Sequence, residues 1–181
     1  MKAIAIAAAI PFVMLGGCAT QGASAPSTPS PAPMAQAALA AGDGAARGTA
    51  TVTEAADGLH VRVSATGLTP GIHAVHIHTT GDCTAPAFTS AGGHWNPTGK
   101  QHGHDNPAGM HMGDMPNMTV AGDGAGLLEY VIPGGLLATG AMPLLDADGA
   151  AVVVHAGPDD NVSDPAGNAG GRIACGVLKA G

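Results

Sequence analysis

From residue 44 onward, no stretch of ten or more residues in this chain keeps a helical period. Glycine supplies 29 of the 181 residues and proline 14. Glycine at about twice its usual share, with proline among it, breaks helices and makes turns. Between the breaks lie short β-like runs at 49–53, 59–64, 72–78, 117–121, 127–132, 151–156 and 172–178. Leu59-His60-Val61-Arg62-Val63-Ser64 alternates apolar and polar, as a half-buried strand must. Ala121-Gly122-Asp123-Gly124 and Asp146-Ala147-Asp148-Gly149 carry turn chemistry. The expectation is an all-β barrel or sandwich with long loops at 79–116 and 156–171. Loops of that length in a compact domain are usually functional.

Those loops and their neighbouring strands hold a histidine pattern: His76-Ile77-His78, His94, His102, His111-Met112-Gly113-Asp114, and His155. Imidazole nitrogen suits copper and zinc, and a mixed His/Asp set suits zinc. One aspartate among so many histidines argues against calcium or magnesium, which want mostly oxygen ligands. His76 and His78 are two residues apart, so a strand projects both to one face, where they can grip one ion. His155 ends an apolar run that begins at Ala151. His94, His102, His111 and Asp114 share one glycine-rich loop that a metal could pin. Any one histidine is more often surface or satisfied core than a ligand, but the joint spacing reverses that prior and predicts two adjacent metal sites. His60 falls on the polar face of a strand and His104 in an exposed loop, so both are left out of the ligand set.

The N-terminus reads as an address. Lys2 is followed by an apolar run from Ile4 to Leu15, the length of a signal segment and too short to span a bilayer comfortably. Leu15-Gly16-Gly17-Cys18 resembles a bacterial lipoprotein cleavage box, which would leave lipid on Cys18. Ala19 after it fits sorting to the outer membrane. Residues 1–18 are therefore read as a signal segment. Residues 19–43, rich in Ala, Pro and Ser, are read as a flexible tether. Residues 44–181 are read as one domain. There are three cysteines; with Cys18 lipidated, Cys83 and Cys175 remain as a pair in an oxidising, periplasmic compartment.

The domain motifs resemble the copper/zinc superoxide dismutase family over about residues 45–180. They are Pro70-Gly71-Ile72-His73-Ala74-Val75-His76-Ile77-His78, Gly81-Asp82-Cys83, Ala91-Gly92-Gly93-His94-Trp95-Asn96-Pro97, His111-Met112-Gly113-Asp114, Val153-Val154-His155, Asp159-Asp160 and Gly170-Gly171-Arg172-Ile173-Ala174-Cys175-Gly176. The short 156–171 loop and the N-terminal address look like the bacterial periplasmic branch. The resemblance implies an eight-stranded Greek-key barrel. It assigns copper to His76, His78, His94 and His155. It assigns zinc to His94, His102, His111 and Asp114, with His94 bridging. Asp159 would accept hydrogen bonds from His76 and His102, and His73 would support the structure without binding metal. Arg172 would guide a small anion, and His94 would carry a proton. Ala74, Val75 and Trp95 depart from the family pattern at packing positions. The implied reaction is dismutation of superoxide to oxygen and hydrogen peroxide by redox cycling of copper.

A second class fits the metal ligands: an exported copper carrier or buffer with the same fold. Met110, Met112, Met115 and Met118 crowd His111, and thioethers favour Cu(I). The resemblance places aliphatic residues at 112, 115 and 118, so these methionines are expected to pack, and a carrier has no use for Arg172. Removing Lys2 leaves five basic residues against thirteen acidic ones, a net of −8 with neutral histidines. Nucleic acid is therefore not an expected partner, and contact with the membrane is expected only through the lipid on Cys18. The same charge repels superoxide unless a local positive funnel, with Lys100 and Arg172 as contributors, offsets it. The sequence is compatible with a monomer or a homodimer.

Overall fold

The computed structural model describes residues 31–181. The expected signal segment, Cys18 and the expected tether up to residue 30 lie outside the described residues. Ten strands form: β1 Met34–Ala40, β2 Ala46–Ala55, β3 Gly58–Ala65, β4 Gly71–His73, β5 Val75–His78, β6 Met118–Val120, β7 Gly126–Pro133, β8 Ala151–His155, β9 Arg172–Val177 and β10 Lys179–Ala180. Every strand pair is antiparallel. The spatial order is β4-β6-β7-β3-β2-β1-β9-β8-β5, with β10 on β1. Its two ends, β4 and β5, are halves of one chain segment separated only by Ala74. The sheet therefore nearly closes into a barrel and leaves little edge.

Most expected strands form within a residue or two of their expected ends. Gly124 and Gly149 turn with positive φ where the two turns were expected. There are two corrections. The first concerns the tether, which was expected to run to residue 43. Its last part is instead β1, with Ala35, Ala37 and Leu39 fully buried and Gln36 and Ala38 facing out. Seven backbone pairings tie β1 to β2. Four of its seven residues are alanine and none is β-branched or aromatic, so it lacks the residues that advertise a strand. The alternation is present, but alanine does not display it. The second correction is that the run 72–78 is two strands. Ala74 N–H turns aside to the Gly157 carbonyl at 2.8 Å, and this break lets β4 pair with β6 while β5 pairs with β8.

Alternation along β5 positions the site. Val75 and Ile77 enter the barrel core with Val52, Leu59, Val61, Val63, Val152 and Val154. His76 and His78 face the other way and are still buried, because the two long loops cover that side. β8 is buried on both faces. Val152 and Val154 join the barrel core, while Ala151 and Val153 pack with Phe88, Ala91 and Cys175 in a second cluster under the loop. Cys83 and Cys175 form a disulfide with a Cα–Cα distance of 5.7 Å across 92 positions, fastening the 79–116 loop to β9. Met115 and Met118 are fully buried core residues, with Met112 packed against them.

Candidate metal centre

His76 and His78 come from β5, His155 from the end of β8, and His94 from the loop lying over them. The isolated bridge His78↔His94 and the hydrogen bond from Trp95 N–H to the Ile77 carbonyl at 2.8 Å dock that loop on β5. One buried cluster gathers His76, His78, His94 and His155; a second gathers His94, His102, His111 and Asp114. His94 belongs to both. Its ring lies 4.0 Å from that of His76 and 5.1 Å from that of His102, centroid to centroid.

Hydrogen bonds on the far nitrogen fix each ring. His78 Nδ1–H donates to the Gly92 carbonyl at 3.0 Å. His155 Nδ1 faces the Gly170 carbonyl at 3.4 Å. His76 Nε2 meets Asp159 Oδ2 at 2.7 Å, and His102 Nε2 meets Asp159 Oδ1 at 2.9 Å. What remains is His76 Nδ1, His78 Nε2, His94 Nε2 and His155 Nε2, all buried and without a hydrogen-bond partner. A buried polar atom with no partner costs about 1–3 kcal/mol. Four of them converging make sense if they face a cation that prefers imidazole, and copper does.

The second cluster is tighter. His94 Nδ1, His102 Nδ1 and His111 Nδ1 stand 2.8, 3.0 and 3.2 Å from Asp114 Oδ1, and His111 Nδ1 stands 3.4 Å from His94 Nδ1. The His102 contact lies off the hydrogen-bond direction, and its Nδ1 is partnerless. A tetrahedral zinc with bonds of about 2.0–2.1 Å has ligand edges of about 3.3 Å, so this donor set fits zinc in type and size. Asp114 Oδ2 is fixed separately by the N–H groups of Gly103 and His111, both at 3.0 Å.

Burial sets most of the protonation states. It pushes His94, His155 and His78 down to about 4, 3 and 2 and lowers His76 despite the Asp159 hydrogen bond. These four rings are therefore neutral, the state that ligates metal, across the physiological range. His102 goes the other way. Burial opposes its charge, but the contacts of Asp114 and Asp159 outweigh burial and raise it to about 9. Burial also favours neutral Asp114 and Asp159, yet the histidine and backbone N–H contacts hold both carboxyls far below the usual range.

Arg172, at the start of β9, donates from Nη1 to the Phe88 carbonyl at 2.6 Å and from Nη2 to the Gly92 carbonyl at 2.7 Å. Its charge is among the influences that lower His78 and His155, which places it beside the first cluster. His73 lies apart from both clusters, with its two nitrogens on the carbonyls of His155 and Thr69 at 2.7 and 2.8 Å. His60 meets Asp57 on the surface, and exposed His104 lies edge-on to Tyr130. The sequence reading missed four contributors: the Phe88 and Gly92 carbonyls, Asn117 and Gly167. The carbonyls reach Arg172 and Asn117 reaches Asp159 across distant positions, leaving no local spacing, while Gly167 lies so close to Asp159 that a side chain there would overlap its carboxylate.

A family model described as copper/zinc superoxide dismutase (SODC) matches residues 46–178. Superoxide dismutase (Cu-Zn) of Caulobacter vibrioides is 48% identical over 148 residues, spanning 80% of this chain and 85% of that one. Superoxide dismutase (Cu-Zn) 2 of Aquifex aeolicus is 45% identical over 139 residues, spanning 76% and 81%. Among solved structures, a double mutant of a SOD-like protein from Bacillus subtilis superposes with a TM-score of 0.76 at 42% identity, covering 79% of this chain and 95% of that one. The Cu/Zn superoxide dismutase from Brucella abortus gives 0.63 at 29% identity, covering 81% and 99%.

Proposed function

This chain belongs to the copper/zinc superoxide dismutase family, and from that premise we propose that His76, His78, His94 and His155 hold its copper and His94, His102, His111 and Asp114 its zinc. Its reaction is the dismutation of superoxide to oxygen and hydrogen peroxide. The carrier alternative is not favoured by these relatives. When bound, copper supplies a one-electron redox couple and zinc a fixed positive charge.

The chain's own groups do the rest. Arg172 spends two of its five N–H donors on loop carbonyls, which holds the guanidinium still and leaves three donors for a small anion. His94 Nε2, buried and without a hydrogen-bond partner, is the atom that would hold and release a proton where peroxide formation needs one. Asp159 keeps His76 and His102 in the tautomers that leave Nδ1 free. One observation carries the reading: four buried, partnerless imidazole nitrogens converge beside a fixed guanidinium. Arg172→Ala should cut superoxide turnover about tenfold or more with copper and zinc content near wild type. Equal turnover with both metals bound would remove Arg172 from the mechanism.

The same reading places the protein outside the cytoplasm, lipid-anchored through Cys18 to the outer membrane and facing the periplasm. Support comes from the Lys2–Cys18 pattern and from a disulfide that suits an oxidising compartment. Labelled fatty acid should enter the wild-type protein and not Cys18→Ser; equal labelling of both would refute the anchor. The domain acts as a monomer or a homodimer, which sedimentation velocity separates.

A further inference from the structure

Asn117 sits three residues after Asp114 and just before β6. Its side chain makes a reciprocal pair of hydrogen bonds with the backbone of one residue 42 positions away. Asp159 N–H donates to Asn117 Oδ1 at 2.8 Å, and Asn117 Nδ2 donates to the Asp159 carbonyl at 2.9 Å. Asp159 lies in the loop 156–171, where no strand fixes its backbone. Its carboxylate must reach His76 and His102 at once, at 2.7 and 2.9 Å. A carboxylate that serves two rings from two oxygens has little freedom, so its Cα must be held. An amide is the side chain that can both accept from an N–H and donate to a C=O of the same residue.

We propose that Asn117 is a positioning residue that anchors Asp159 and so couples the orientation of His76, in the copper cluster, to that of His102, in the zinc cluster. The proposal rests on the metal assignment above. Aspartate at 117 has nearly the same shape but only accepts. It keeps the bond from Asp159 N–H and sets an oxygen against the Asp159 carbonyl.

The test compares wild type, Asn117→Asp and Asn168→Gly, all loaded with copper and zinc; Asn168 has φ +53, which glycine keeps without strain. Asn168 bonds the neighbouring Asp160 side chain at 2.9 Å and serves as a control in the same loop. Chelator competition for zinc and the Cu(II) electron paramagnetic resonance spectrum are the readouts. Asn117→Asp should weaken zinc binding about tenfold or more and change the copper spectrum, with Asn168→Gly like wild type. Wild-type zinc affinity and copper spectrum in Asn117→Asp would overturn the proposal. Equal losses in both variants would also overturn it, because general loosening of the loop would then suffice. If wild type itself binds no zinc, the metal assignment fails instead. If Asn117→Asp does not fold, amide exchange in wild type decides: the Asp159 N–H should be protected, and fast exchange there would overturn the anchor.

Discussion

His102 and its neighbours have opposite pH signatures, and together they fix where the protein without metals is most stable. His102 is raised from its ordinary 6.5 to about 9, so its contribution is fully present below 6.5 and lost as pH rises through about 9. His94, His155 and His78 are lowered to about 4, 3 and 2. Their contribution is present above 6.5 and lost as pH falls toward those values, because the unfolded chain then binds more protons. Denaturant unfolding of the protein stripped of metals should therefore be most resistant near pH 6.5, and a flat profile from 6.5 to 9 would contradict the His102 assignment. Zinc must displace the His102 proton, so zinc titration near pH 7.5 should release about one proton. Gly167 is a second residue-scale test. It has φ +61, and a methyl group there would overlap Asp159 Oδ1 and crowd His102. Gly167→Ala should cost more than the about 1–2 kcal/mol of a left-handed backbone alone and lower zinc content, measured by unfolding and metal analysis. The ligands were legible because strand and loop spacing reveals them. Asn117 and Gly167 were not: Asn117 acts across 42 positions, and Gly167 matters through the close approach of Asp159 and His102, which a glycine in a glycine-rich loop does not announce.

At the scale of elements, β1 is the informative case. Its alternation survives in the burial pattern, with Leu39 the only large side chain among three buried residues. Leu39→Ala should destabilise by about 2–5 kcal/mol, and a chain starting at residue 44 should fail to fold. A stably folded 44–181 fragment would show that the barrel does not need β1. The break at Ala74 was equally hard to read. The run 72–78 has strand character throughout, and the bonds of Ala74 to the Gly157 carbonyl and from His155 N–H separate the half that serves β6 from the half that serves β8. The long loops were easier to foresee, since their glycines and prolines break strands and helices; among the described residues they hold one short 3-10 turn, Thr89–Ala91.

The whole molecule sets a problem that its parts must solve. Its net charge opposes an anionic substrate, so turnover must lean on the local field near Arg172. The penalty of Arg172→Ala should therefore be larger at low ionic strength, where guidance reaches farther than the roughly 10 Å Debye length of 0.1 M salt. The relatives favour a dismutase over a copper carrier, and turnover is the property that separates the two classes. The most direct measurement is superoxide decay, followed after pulsed generation, in protein whose copper and zinc content has been assayed. Decay should accelerate in proportion to bound copper. Fully loaded protein that leaves superoxide decaying at the buffer's own rate would contradict the account.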